Sequence, residues 1–76
     1  MVTYEEALKM AKEKRNDVNV VVEYENGYVF SNTDDAGYIG GLDHAPVIIL
    51  KKDGKQVNMI TFVNAGTGKE IARKSI

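Results

Sequence analysis

The sequence predicts a single α+β domain over residues 1–76, with a four-stranded, mainly antiparallel sheet and both helices on one face. Three observations carry that reading. An apolar stripe at helical spacing opens the chain, β-branched runs flank turn dipeptides at two places, and a second capping signal stands near the end. With 76 residues there is room for one core, and a domain this small is only marginally stable unless its elements pack well.

The first element is a helix. Thr3 and Glu6 have the spacing of a capping box, in which the Thr hydroxyl and the Glu carboxylate satisfy two backbone N–H groups reciprocally. Tyr4, Ala7, Leu8 and Ala11 form one apolar stripe. Glu5 and Lys9 lie one turn apart, and Lys12, Lys14 and Arg15 crowd the end that the macrodipole makes negative. Asn16-Asp17 ends the helix.

A strand follows over Val18 to Glu25, where Val18, Val20, Val22 and Tyr24 alternate with Asn19, Val21, Glu23 and Glu25. Asn26-Gly27 turns the chain into Tyr28-Val29-Phe30. A two-residue turn there would set Phe30 opposite Glu23. A type I turn with Gly27 as the left-handed bulge residue instead pairs Tyr24 with Tyr28 and Val22 with Phe30, collecting the apolar residues on one face. The bulged hairpin is the expectation.

The longest fold signal runs from Ala45 to Val63. Two apolar runs flank Asp53-Gly54, a strong hairpin dipeptide, and Pro46 stands where a missing N–H costs the ladder least. Val47 to Leu50 is apolar without a break, which predicts a central strand covered on both faces. A repeat of the bulged geometry would pair Ile49 with Val57 and Val47 with Met59, although a run apolar on both faces discriminates poorly between registers. Between the hairpins, Asn32 to Ala45 holds three glycines and three aspartates and reads as a long loop, pinned by Tyr38, Ile39 and Leu42. After Asn64-Ala65-Gly66, Thr67 and Glu70 repeat the capping-box spacing. They predict a short C-terminal helix that turns Ile71, Ala72 and Ile76 inward.

Composition excludes several functions. The absence of cysteine removes disulfides, thiolate metal sites and a thiol nucleophile, and makes a reducing cytoplasm the default compartment. No apolar run approaches the roughly 18 residues of a membrane span, so no membrane role is expected. Gly66-Thr67-Gly68-Lys69 fails the phosphate-loop pattern, because Val63 stands where the first glycine belongs and Glu70 where a magnesium-binding hydroxyl belongs. His44, the single histidine, sits beside Asp43 in the glycine-rich loop, without the convergent ligands a metal needs. The adjacent carboxylates Asp34 and Asp35 read as a turn rather than a catalytic dyad. No catalytic residue, cofactor or metal is therefore expected. Tyr28 and Phe30 on a strand resemble an RNA-binding sheet, but Glu23 and Glu25 beside them repel phosphate, so no nucleic acid is expected either.

Charge is segregated along the chain. Asn16 to Ala45 contains Asp17, Glu23, Glu25, Asp34, Asp35 and Asp43 and no Lys or Arg. From Pro46 onward, Lys51, Lys52, Lys55, Lys69, Arg73 and Lys74 face only Asp53 and Glu70. An acidic face that docks a basic partner follows, with Glu23, Glu25, Asp34, Asp35 and Asp43 as contacts and Tyr38 as the aromatic anchor. The alternative is a structural or regulatory homo-oligomer. Two short helices on one face would leave Val21, Ile48, Leu50 and Ile60 exposed on the other, where a homodimer could form.

The order of signals resembles the small YrhB-like domains grouped as immunity proteins of bacterial toxin systems. Glu6-Ala7-Leu8 sits in the helix, Gly27-Tyr28-Val29-Phe30 matches a Gly-aromatic-Val-Phe strand with Tyr where Trp is usual, and Gly40-Gly41 matches the loop. Pro46-Val47-Ile48-Ile49 and Asp53-Gly54 match the Pro-led strand and its turn, after the inserted spacer Leu42-Asp43-His44-Ala45. The resemblance implies a non-enzymatic protein that neutralises a toxin by binding it, and it supplies no catalytic residues.

Overall fold

The computed structural model describes residues 1–33 and 46–76. Among these residues the elements are, in order, α1 (Tyr4–Lys14), β1 (Val20–Tyr24), β2 (Gly27–Ser31), β3 (Val47–Leu50), β4 (Gln56–Val57), α2 (Met59–Ala65) and β5 (Glu70–Ser75). The α+β class is as expected. Among the described residues, however, the sheet has five strands in the order β4-β3-β2-β1-β5, with every neighbouring pair antiparallel. Among the described residues, no helix is long and apolar enough to cross a membrane.

α1 forms as its sequence dictates. The Glu6 N–H donates to Thr3 Oγ1 and the Thr3 N–H donates to Glu6 Oε1, both at 3.2 Å. Ala7 and Ala11 are fully buried against the sheet. Their small side chains let the helix sit close over Val21, Tyr28, Phe30, Val47 and Ile49. Tyr4 joins this cluster, edge-on to Tyr28 with ring centroids 5.8 Å apart.

Both hairpins lie where the turn signals put them, each one residue out of the expected register. In the first, Val21 pairs with Phe30 and Glu23 with Tyr28, so the turn is Glu25-Asn26 and Gly27 begins β2. Gly27 does not have positive φ. A Cβ there would lie 2.9 Å from the Ile49 carbonyl oxygen and 3.0 Å from the Phe62 ring, so this glycine serves close packing rather than turn geometry. The expected face of Val20, Val22, Tyr24, Tyr28 and Phe30 is therefore split, because Val21 and not Val22 shares a face with Phe30. In the second hairpin Asp53-Gly54 does form the turn, with Gly54 at φ 73°, and Ile48 pairs with Val57.

The C-terminal third corrects the remaining expectations. Residues 59–65 are helical, not the return strand. Asn58 caps them, its side-chain oxygen accepting from the Thr61 N–H at 2.7 Å. Residues 70–75 form β5 along the outer edge of β1, not a terminal helix. The helix expected from Thr67 and Glu70 fails because this segment gains a backbone ladder on β1. The Thr67 hydroxyl donates to the Gly68 carbonyl instead.

The two helices consequently lie on opposite faces of the sheet, not on one. The chain leaves edge strand β4, crosses the second face as α2 and returns as the other edge. Phe62 anchors this crossing on Val29 and Ile48, with Tyr24, Leu50 and Val57 around it. Val47 to Leu50 is thus a strand covered on both faces, as its unbroken apolar run requires. Val21 and Ile48, expected to be exposed on an open face, are 2% and 0% exposed.

Candidate partner-binding surface

The residues expected to meet a partner divide into two groups. Asp34, Asp35, Tyr38 and Asp43, with His44 and the three loop glycines, lie outside the described residues. Glu23 and Glu25 are placed, and both work inside the fold.

Glu23 sits at the end of β1 on the α1 face, opposite Tyr28. Its Oε2 accepts from Lys51 Nζ at 2.6 Å, and the same ammonium lies 5.0 Å from the centre of the Tyr28 ring. Lys51 is buried in spite of its charge, with its ammonium over the ring and satisfied by the carboxylate. Groups from β1, from β2 and from the turn after β3 thus hold one another, which makes this cluster a structural tie.

Glu25 fastens the hairpin turn to the segment entering β5. Its N–H donates to the Lys69 carbonyl at 3.0 Å, and its Oε1 accepts from the Lys69 N–H at 2.7 Å. Next to it, the Asn26 side chain donates to the Gly66 carbonyl at 2.8 Å. The dipeptide that reads as a turn is in fact a junction between β1, β2 and the C-terminal crossing.

An open groove of about 580 Å³ lies beside this junction, with Asn26 and Leu50 in its wall and Lys51 and Lys52 at its rim. Among the described residues, the lining carries no histidine, serine or cysteine, and so offers no nucleophile with a base. Among the described residues, no three acidic or histidine side chains gather as a metal would require.

Burial pushes the Tyr28 phenol above its ordinary pKa, with Glu23 adding to the shift and Lys51 opposing it. Burial does the same to Tyr4, reinforced by Glu5 and by Tyr28. A phenol whose folded pKa is raised contributes stability that is complete below the unfolded value of about 10 and is lost as pH rises through the folded value. Urea midpoints are therefore expected to fall steeply above pH ~10 and to fall less in Tyr4→Phe. An identical alkaline profile for the two proteins would show that Tyr4 does not couple to folding.

Apart from Ile60, whose exposure is expected on a strand, two surfaces escaped the reading of the sequence. On α2, Ile60 and Val63 are 73% and 59% exposed, and the helix carries no charge in its first or last turn. On β5, all six side chains are exposed. Both went unseen because residues 59–63 read as a strand and residues 67–76 as a helix. The signal that could have found α2 is Asn58, a capping residue directly before an apolar run.

No protein-family model, curated protein or solved structure matches the chain.

Proposed function

We propose that the chain is a small protein-binding domain that acts without catalysis in the cytoplasm and presents its acidic middle segment to a basic partner. An immunity protein of the YrhB-like kind would meet a toxin in this way. The observation that supports the reading is the charge pattern, six acids and no Lys or Arg between residues 16 and 45. Glu23 and Glu25 are taken up by Lys51 and the Lys69 backbone. Steering of the partner therefore falls to Asp34, Asp35 and Asp43, with Tyr38 as the amphipathic anchor.

Capture of the partner from the source organism, followed by affinity measured against salt, tests the proposal. Asp34→Lys together with Asp35→Lys is expected to weaken binding by about tenfold or more and to flatten its salt dependence. Unchanged affinity and salt slope would remove the acidic segment as the binding face. A toxin gene in the neighbouring reading frame would favour the immunity role.

The homo-oligomer reading is favoured by one specific observation. Of the residues it required, Val21 and Ile48 are buried, but Ile60 stays exposed and is joined on α2 by Val63 and Met59. Sedimentation at micromolar concentration separates the two readings, since only the oligomer depends on concentration.

A further inference from the structure

β5 ends the sheet on one side, and among the described residues no strand pairs with its outer edge. The opposite edge, β4, is only two residues long. The Ile76 N–H donates to the Asn19 carbonyl at 3.0 Å, and the register continues through Val20–Ser75, Val21–Lys74 and Val22–Arg73. Bonded pairs alternate along an antiparallel ladder. Lys74 therefore turns its N–H and C=O toward β1, while Arg73 and Ser75 turn theirs away from the sheet. Two donors and two acceptors stand in line for one more strand.

The side chains bordering this edge are basic on both faces. Lys74 Nζ lies 4.0 Å from the centre of the Tyr4 ring, which fixes it on the α1 side. Arg73, the next residue along, points to the α2 side, where its Nη2 donates to Glu70 Oε1 at 3.1 Å. That ion pair is exposed and weak, and it leaves most of the guanidinium accessible. Lys and Arg at a sheet edge are a known obstacle to self-pairing. In the two-fold registers centred on Arg73 or on Lys74, like cations meet across the seam.

We propose that the free edge of β5 is a β-augmentation site for an extended acidic segment of another protein. The incoming strand runs antiparallel, exchanging backbone hydrogen bonds with Arg73 and Ser75. Two consecutive acidic residues suit it, one carboxylate meeting Arg73 on the α2 face and the next meeting Lys74 on the α1 face. The bulge between Ala72 and Glu70 ends the regular ladder and limits the contact to the last turns of the sheet edge. This site is separate from the acidic segment above, and charge reversal at Asp34 and Asp35 leaves it intact.

The probe is the capped peptide Thr-Val-Glu-Glu-Val-Thr, titrated into the full 15N-labelled chain. The Arg73 and Ser75 amides are expected to shift most and to gain exchange protection. Replacing both glutamates in the peptide by lysine is expected to weaken binding by about tenfold. The same loss is expected in Arg73→Glu with Lys74→Glu, two exposed positions whose folding circular dichroism verifies. Two further peptides, N-methylated on alternate residues in opposite phases, report the ladder itself. One phase should lose about tenfold and the other should bind as before. Equal binding of both phases would reduce the contact to charge alone and overturn the proposal. So would the absence of shifts at millimolar peptide, or a concentration-dependent dimer that protects Arg73 and Ser75 without peptide.

Discussion

Phe62→Ala is expected to cost about 3–5 kcal/mol, the range for removing a large aromatic from a packed core. The whole domain has a stability of only roughly 4–11 kcal/mol at the usual value per residue, so the variant stands close to unfolding. Phe62 is 1% exposed and is the one α2 side chain that reaches the second core, where its ring meets Tyr24 edge-on at 5.7 Å. With it gone, Val29 and Ile48 lose their cover. Ile60→Ala, two residues away, should change stability by less than about 0.5 kcal/mol because the side chain is solvated. The contrast carries the information. In a strand, residues 60 and 62 share a face and would matter alike; in α2 they point apart. Chemical denaturation of the two variants settles it, and equal losses would contradict the helix.

Lys51→Ala is expected to cost about 2 kcal/mol, because it strands the half-buried Glu23 carboxylate and removes the ammonium from over the Tyr28 ring. Glu23→Gln with Lys51→Met should recover most of that loss, since removing both partners of an ion pair leaves no orphaned charge. A double-mutant cycle on urea midpoints measures the coupling, expected to exceed about 1 kcal/mol. A coupling near zero would show the 2.6 Å contact to be energetically idle.

The parts of the fold legible in the sequence are those decided locally. The box of Thr3 and Glu6 specifies its helix without help from the rest of the chain, and the Asp53-Gly54 turn forms with Gly54 left-handed. Asn26-Gly27 misleads because a glycine in a turn dipeptide and a glycine needed for close packing look alike. Only the approach of Ile49 and Phe62 tells them apart, and both lie far along the chain. That displacement of one residue is enough to move Val21 under α1 and Val22 to the other face.

The C-terminal third is decided by tertiary pairing. Met59 to Val63 is β-branched enough to read as a strand, yet Asn58 caps it and Phe62 finds the open sheet face. Thr67 to Ile76 has helical spacing, yet β1 offers an unpaired edge, and a strand exposed along its whole length needs no apolar alternation. The candidate site was legible in the same uneven way. Charge segregation can be read from composition, but the engagement of Glu23 by Lys51 depends on a contact between residues 28 positions apart.

The five-stranded sheet with β5 at its edge is the premise on which both the peptide site and the crossing of α2 depend. Amide hydrogen exchange across residues 69–76 tests it most directly. The account predicts alternation, with Lys74 and Ile76 protected by β1 while Arg73 and Ser75 exchange at nearly the rate of solvated backbone. Continuous protection from residue 71 onward, the mark of a helix bonded within itself, would contradict it.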